Sequence, residues 1–140
     1  MSPKLLPLRS KGVSVGQHLV LDAWRVSADL LNDPPFVREA LGQAVEACGA
    51  TLINLCVHQF SPYGVTATAT LAESHMAIHT WPEYGYLGAD LFICGRGDPR
   101  PAIDWLIESF KPGEARLRQL TRGLDVAVEQ PAAVEQVESA

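Results

Sequence analysis

The sequence predicts one α+β domain, a two-layer α/β sandwich in which helices cover one face of a mostly antiparallel sheet. The 140 residues are 47% hydrophobic, which suffices for one buried core and suggests no second domain. Strand patterns occur in six segments and helical spacing occurs in two. The order strand, helix, four strands, helix, strand indicates helices packed against one side of a sheet.

The first strand and the first helix have recognisable boundaries. Residues 18–26 partly alternate apolar with polar side chains, as a half-buried strand does. Asp33 before Pro34 and Pro35 predicts the start of a helix, and Gly49 predicts its end. Apolar side chains recur at helical spacing between these signals, so the helix should be amphipathic.

A run of four strands follows. Residues 51–60 are rich in strand formers, and a turn at 61–64 leads into the alternating segment 65–72, which predicts a hairpin. Two more strands, around a turn at 82–85, are predicted at residues 75–80 and 87–94.

The remaining segments complete the domain. Residues 101–110 carry apolar side chains at helical spacing, and residues 115–121 form a last predicted strand. Residues 1–15 are interpreted as a flexible leader. Residues 124–140 lack a stripe of large apolar side chains and are interpreted as a flexible tail. The folded domain is therefore expected to span residues 16–123.

Composition and charge argue against several classes of function. The formal net charge is -5 and the 11 Lys and Arg residues are scattered, which disfavours a nucleic-acid partner and fits a cationic small molecule better. The amino-terminal segment MSPKLLPLRSKG has no apolar run long enough for a secretory signal or a membrane span, so a cytoplasmic protein without a membrane partner is expected. Cys48, Cys56 and Cys94 form no CxxC pair, which favours free thiols and no cysteine-rich metal site.

The segment from residue 73 to residue 95, ESHMAIHTWPEYGYLGADLFICG, concentrates chemically active side chains. It places a serine, two histidines, carboxylates and a cysteine around a turn-rich stretch. The segment closely resembles the signature of bacterial and archaeal S-adenosylmethionine decarboxylase proenzymes, which cut their own chain to make a pyruvoyl cofactor. The resemblance continues more weakly over residues 16–123 and implies the family's α/β sandwich. It also implies cleavage between Glu73 and Ser74 and no diffusible cofactor.

This resemblance assigns chemical roles to four residues. Ser74 matches the serine that becomes the pyruvoyl group and forms a Schiff base with the substrate amine. His79 matches the proton acceptor of processing, a task that suits an imidazole titrating near neutrality. Cys94 matches the proton donor of decarboxylation. Thr66 matches a hydroxyl residue that supports cleavage, at a position where serine is the family's usual residue.

The resemblance also implies the substrate and the assembly. Phe60 and Trp81 resemble the family's adenosine-contacting aromatic residues, and Glu83 matches a carboxylate that binds the ribose hydroxyls. Aromatic faces also attract a sulfonium charge. The implied reaction is decarboxylation of S-adenosylmethionine, which gives the aminopropyl donor for spermidine biosynthesis. A homodimer of cleaved alpha and beta chains is expected, with active sites near the subunit interface.

Structural interpretations of the same residues are also open. Taken alone, Ser74 is a turn serine, His79 a strand histidine and Cys94 a small buried residue. Trp81 fits a packing role about as well as a ligand contact. Three histidines are interpreted as hydrogen-bonded sheet residues without a function: His18, His58 and His75.

Three alternative functions are left open by the sequence. Decarboxylation of arginine or ornithine would use the same pyruvoyl chemistry, because Ser74, His79 and Cys94 do not specify the substrate side chain. An unprocessed, inactive homologue would act as a binding protein. A metal-binding module would use some of His58, His75, His79 and Cys94, but His75 and His79 lie roughly 13 Å apart along a strand, too far for one ion.

Overall fold

The structure is a computed structural model that describes residues 4–5, 13–94, 98–123 and 137–138. It confirms the predicted α+β sandwich. The strands in chain order are β1 (Val13–Ser14), β2 (Gly16–Trp24), β3 (Leu52–Gln59), β4 (Val65–Leu71), β5 (Ser74–Trp81), β6 (Tyr86–Cys94), β7 (Glu114–Arg122) and β8 (Val137–Glu138). The helices are α1 (Ala28–Leu31), α2 (Pro34–Ala47) and α3 (Arg100–Phe110), and a 3₁₀ turn spans Pro82–Tyr84.

Within the described residues, six strands form one antiparallel sheet in the order β3-β4-β5-β6-β2-β7. Strands β3 to β6 follow one another as hairpins, as the sequence predicted. Strand β2 pairs with β6 on one side and β7 on the other. The two central strands, β5 and β6, contain residues 74–81 and 86–94 of the motif, so most of the motif lies in the middle of the sheet.

Helix α2 begins and ends close to its predicted limits. The Asp33 carboxylate accepts a hydrogen bond from the backbone N–H of Phe36 at 3.1 Å, which caps the amino terminus. Two prolines fill the first turn, where a missing N–H costs nothing. The helix ends at Ala47, and Gly49 then takes the left-handed φ of 72° that turns the chain away.

One face of the sheet packs against α2 and α3 and forms the core. In β4, four buried aliphatic side chains alternate with three threonines that point away from the helices. The helices contribute their apolar sides to this core: Val37, Ala40, Leu41, Ala44, Val45, Ala102, Ile103, Leu106 and Phe110. No helix among the described residues covers the opposite face of the sheet, which we call the open face.

Two short elements were not predicted. Helix α1 is a single turn, too short for a periodic pattern, and Ser27 at its start makes no side-chain capping hydrogen bond. The 3₁₀ turn Pro82–Tyr84 lies inside the turn predicted at residues 82–85 and ends at Gly85, which has a φ of 62°.

The predicted flexible leader, residues 1–15, and tail, residues 124–140, lie mostly outside the described residues, and their mobility stays a prediction. Their described parts include β1 and β8, which pair with each other as a separate two-stranded ladder. None of the described helices combines the length and the apolar character needed to cross a membrane.

Candidate active site

Strand β5 carries predicted site residues at both of its ends. Its first residue is Ser74, which directly follows Glu73, and the strand reaches His79 and Trp81 near its last residue. We call the first region, formed by Glu73, Ser74 and the nearby Cys94, the turn end. We call the second, formed by the Thr66–His79 pair and the cavity around it, the cavity end.

Thr66 and His79 are in direct contact at the cavity end. They lie opposite each other in the β4–β5 register, so their side chains share the open face. Thr66 Oγ1 lies 3.1 Å from His79 Nδ1, within hydrogen-bonding distance. The hydroxyl and the imidazole that the sequence predicted for processing therefore form one unit.

A cavity of about 330 Å³ surrounds this pair and has the size of a small-molecule site. Its lining includes both processing residues and all three predicted substrate-binding residues. The full lining is Phe60, Tyr63, Gly64, Thr66, His79, Thr80, Trp81 and Glu83. Tyr63, Gly64 and Thr80 were not predicted.

Buried hydrogen bonds hold the cavity wall in place. Thr80 Oγ1 donates to the Leu31 carbonyl oxygen at 2.7 Å and accepts from the Val65 N–H at 2.9 Å. Asn32 Oδ1 accepts from the Gly64 N–H at 2.9 Å. These bonds tie α1 to the β3–β4 turn and to β5. The partners in these hydrogen bonds lie far apart in the chain, so no local sequence pattern predicted the bonds.

Trp81 also takes part in an aromatic cluster, as its packing interpretation predicted. Its ring centroid lies 5.5 Å from that of Tyr86. The Tyr86 hydroxyl donates to Asp22, which also accepts from Arg118 at 3.1 Å. Burial and the hydrogen bond to Asp22 raise the pKa of Tyr86 to about 12. Trp81 therefore packs against Tyr86 and also lines the cavity.

The turn end contains backbone strain at the predicted cleavage site. Glu73 has a φ of 62° in the tight turn between β4 and β5, a left-handed conformation that costs a non-glycine residue roughly 1–2 kcal/mol. The Ser74 hydroxyl donates to the Ala72 carbonyl oxygen at 3.2 Å. The hydroxyl thus lies over the turn that contains the Glu73–Ser74 peptide.

Cys94 belongs to the same end of the sheet. His75 lies opposite Phe92 in the β5–β6 ladder, so continuation of the antiparallel register brings Glu73 beside Cys94. Burial and the nearby Glu73 carboxylate raise the pKa of the Cys94 thiol, which keeps it protonated near neutral pH. All three cysteines are free thiols, as predicted.

Within one chain, Ser74 and His79 lie far apart. His79 lies five residues beyond Ser74 on a continuous strand, which corresponds to about 17 Å, and an odd spacing directs the two side chains to opposite faces. The structure therefore places Ser74 and Cys94 at the same end of the paired strands β5 and β6, and it places the contacting pair Thr66 and His79 toward the other end of β5. The family resemblance assigns all four residues to one reaction, but the fold places them in two separate regions.

A third group of polar side chains, which the sequence did not predict, lies on the open face. We call it the Asp90 cluster: His18, His75, Asp90 and Arg122. The Nε2 atoms of His18 and His75 lie 2.7 and 2.8 Å from Asp90 Oδ2. The interpretation of both histidines as hydrogen-bonded sheet residues is therefore confirmed.

The directions of the hydrogen bonds in the Asp90 cluster follow from Arg122. The ligand atoms of His18, His75 and Asp90 lie within 4.8 Å of one another, a spacing that a metal ion could use. Arg122 Nη1, however, lies 2.8 Å from His18 Nδ1, and a guanidinium can only donate. His18 Nδ1 therefore accepts, and Nε2 carries the proton that binds Asp90. This arrangement favours a hydrogen-bonded cluster over a set of metal ligands.

Comparisons with known proteins agree with the fold and the motif. A family model for S-adenosylmethionine decarboxylase matches residues 17–123. An S-adenosylmethionine decarboxylase proenzyme of Brevibacillus brevis is 44% identical over 110 residues, which cover 78% of this chain and 83% of that protein. A proenzyme of the same description from Methanococcus maripaludis is 42% identical over 111 residues, or 79% of this chain and 91% of that protein.

A solved structure is also similar. The crystal structure of the adenosylmethionine decarboxylase from Aquifex aeolicus matches with a TM-score of 0.74 and 33% sequence identity. The match covers 79% of this chain and 92% of that one.

Proposed function

The chain belongs to the S-adenosylmethionine decarboxylase family, and on this basis we propose that it is a self-processing decarboxylase of S-adenosylmethionine. The proposal depends chiefly on one observation, the strained Glu73 in the tight turn directly before Ser74, with its carboxylate near the Cys94 thiol. Its product would be the aminopropyl donor for spermidine biosynthesis.

The prosthetic group that this activity needs is a pyruvoyl group made from Ser74, and the turn end suits it. Ser74 is the first residue of a central strand, so a cut before it leaves the new chain start anchored in the sheet. Cys94 provides a protonated neighbour. A pyruvoyl group held there would supply a carbonyl for the substrate amine and an acceptor for the electron pair released as carbon dioxide leaves.

Cleavage would begin at the Ser74 hydroxyl. Its Oγ attacks the Glu73 carbonyl carbon, the C–N bond breaks as the C–O bond forms, and the hydroxyl proton passes to the freed Ser74 nitrogen. Strain at Glu73 favours this step, because the break releases the residue from its left-handed conformation. Loss of the Ser74 α-proton then expels the Glu73 carboxylate. Addition of water and loss of ammonia complete the conversion of residue 74.

His79 would accept the α-proton, with its imidazole held by the hydrogen bond to Thr66. Because His79 lies about 17 Å from Ser74 along the same strand, we propose that a second copy of the chain supplies it. The assembly would be a homodimer of cleaved alpha and beta chains, with the turn end of one copy against the cavity end of the other. Phe60, Trp81 and Leu120, between 41% and 50% exposed, provide apolar surface for this contact.

The cavity end would bind the substrate. The faces of Phe60 and Trp81 suit an adenine ring and a sulfonium charge, and the exposed Glu83 carboxylate suits the ribose hydroxyls. The Cys94 thiol would give its proton to the substrate carbon that has lost carbon dioxide, because its raised pKa keeps that proton available. Thr66, His79 and Cys94 would thus act on residue 74 and substrate from two copies.

An intact mass spectrum of the denatured protein, before and after reaction with phenylhydrazine, tests the self-processing. We expect two fragments, residues 1–73 and 74–140, of which the second is lighter than its sequence by the serine-to-pyruvoyl change and reacts with the reagent. The Ser74→Ala variant should give one unreactive mass. A single unreactive mass for the parent protein would contradict the proposal and favour an inactive homologue that acts as a binding protein.

Carbon dioxide release from labelled substrates tests the choice of substrate. We expect release from S-adenosylmethionine and none from arginine or ornithine, because the aromatic and acidic lining of the cavity suits a nucleoside. Release from arginine or ornithine alone would support the alternative amino acid decarboxylase, even with normal cleavage.

A further inference from the structure

We propose that Asp90 is a positioning residue for the turn end, which holds the Ser74 end of β5 against the Cys94 end of β6 through its hydrogen bonds to His75 and His18. The inference rests on the proposed function, which gives Ser74 and Cys94 their roles. Asp90 itself lies four residues before Cys94 on β6 and would touch neither the substrate nor the reacting atoms.

The Asp90 cluster connects three adjacent strands close to the turn end. His75 is the residue directly after Ser74 on β5, and His18 lies on β2. Both face Phe92 in the strand registers, so the three rings share the open face. Asp90 Oδ2 is the common acceptor of the two imidazole N–H groups, at 2.7 and 2.8 Å. A single carboxylate oxygen therefore holds β5 and β2 to β6.

The protons of the cluster have a definite arrangement. Arg122 donates to His18 Nδ1 at 2.8 Å, so His18 must donate to Asp90 through Nε2. His75 likewise presents Nε2 to the same oxygen. With a carboxylate as acceptor, these bonds are charge-assisted and stronger than bonds between neutral groups. Replacing the carboxylate by an amide would weaken both at once without changing the size of the side chain.

The contacts of Phe92 help to hold the end of β6 that contains Cys94, two residues further along the strand. The Phe92 ring stacks on His18 with centroids 5.4 Å apart, and the Arg122 guanidinium carbon lies 5.3 Å from the ring centroid. On the neighbouring strand, a Cβ at Gly16 would lie 2.3 Å from the Ile93 carbonyl oxygen, so β2 approaches β6 very closely here. The strand that ends at Cys94 is thus held by side chains and by this close contact.

The cavity end shares no residue with the Asp90 cluster. Its lining residues are held by Thr80 and Asn32, through bonds to the backbone of other elements. A loss of the cluster should therefore affect the reactions at Ser74 and Cys94 and leave substrate binding unchanged. This separation between kcat and KM distinguishes a positioning role from a general loss of stability.

The first measurement is the rate of self-cleavage in newly made protein, followed by kcat and KM after processing. We expect Asp90→Asn and His75→Ala to slow cleavage and lower kcat by about tenfold, with KM within about twofold of the parent. His75→Gln should retain most of the cleavage rate, because its amide can donate to Asp90 in place of the imidazole. Glu114→Gln, which changes the exposed ion pair with Arg25, is the matched control and should behave as the parent.

The second measurement does not require activity. In the uncleaved Ser74→Ala background, Asp90→Asn should speed the alkylation of the partly buried Cys94 by iodoacetamide several-fold, because its strand end is less firmly held. Cys56 is exposed, and its alkylation in the same sample should not change. Peptide mass spectrometry distinguishes the two thiols.

Two results would overturn the positioning role. Parental rates of cleavage and of Cys94 alkylation in Asp90→Asn would show that the cluster positions nothing. Equal defects in His75→Gln and His75→Ala would mean that the imidazole itself is needed, for proton transfer. If the parent does not cleave, the proposed function fails, and the alkylation experiment still decides the role of Asp90.

Discussion

The two ends of β5 differ in how they are built. At the turn end, the distinctive features are a left-handed backbone at Glu73 and a thiol whose pKa is raised by its surroundings. At the cavity end, the features are side-chain contacts, with the Thr66–His79 pair and an aromatic and acidic lining around empty space. In the proposed function, the turn end is suited to chain cleavage and proton donation. The cavity end is suited to substrate binding and to accepting a proton. Under the proposed function, each chain therefore carries two different halves of an active site, and a second copy of the chain would complete each site.

Co-expression of two inactive variants is the strongest test of this division. Ser74→Ala and His79→Ala should each remain uncleaved alone, because each lacks one half. Together they should form mixed dimers in which the His79→Ala chain is cleaved by the His79 of its partner. Mass spectrometry of the two distinguishable chains measures this, and we expect the change from no cleavage to clear cleavage.

Two outcomes would contradict the division. Cleavage of the His79→Ala variant on its own would show that processing does not need His79. Persistent lack of cleavage in the mixture, with dimers present, would mean that both residues must act within one chain.

Substitution of Cys94 should separate processing from catalysis within the turn end. Cys94→Ala should still be cleaved, because cleavage uses the strained peptide and the Ser74 hydroxyl. Its kcat should fall by about 100-fold, since a positioned proton donor typically contributes this much. Cys56→Ala changes an exposed thiol and should keep the parental kcat. An uncleaved but folded Cys94→Ala protein would show that the thiol also acts in processing.

A substitution at the cavity end should affect KM. Glu83→Gln should raise KM for S-adenosylmethionine by about tenfold, because it weakens a charged hydrogen bond to the ribose, and should leave cleavage intact. Steady-state kinetics and fragment masses check both expectations, again with Glu114→Gln as the control. An unchanged KM with a lower kcat would place Glu83 in the chemistry of the turn end.

The smallest expected effect concerns stability at acid pH. Burial would raise the pKa of Asp90, but the hydrogen bonds from His18 and His75 outweigh it, and the pKa lies below its ordinary value of 3.8. A lowered folded-state pKa means that the stabilisation is present above about pH 3.8 and is lost as pH falls through the folded-state value. In the Ser74→Ala background, Asp90→Asn should therefore lower the free energy of unfolding by about 1 kcal/mol at neutral pH. Urea unfolding should show this difference shrinking at acid pH; a constant difference would contradict the assignment.

The sequence predicted the main elements because their signals are local. The cap at Asp33 and the exit at Gly49 marked α2, and alternation in residues 65–72 marked β4 and its buried face. Helix α1 was not predicted, because a single helical turn is too short to show a periodic pattern of apolar residues. Within the candidate site, the motif and its resemblance identified Phe60, Thr66, His79, Trp81 and Glu83, all of which line one cavity.

Two features of the site could be recognised only in the three-dimensional structure. The contacts of Asp90 with His18 span 72 positions of the chain, and those of Thr80 with Leu31 span 49, so no sequence window contains both partners. The separation of Ser74 from His79 depends on a strand that begins at Ser74 itself, where the sequence predicted a strand from residue 75. A resemblance assigns residues to one reaction without saying how many chains contribute them.

The turn at Glu73 has a further consequence for the electrostatics of the cleaved protein. In the intact chain, residue 73 has one carboxylate, and it already raises the pKa of the Cys94 thiol. After cleavage, residue 73 would become a chain end and gain a second carboxylate. If that end stays in the sheet, two negative charges would oppose the thiolate where one did before. The new carboxyl end of the alpha chain would then help to keep the Cys94 thiol, the proposed proton donor, in its protonated form.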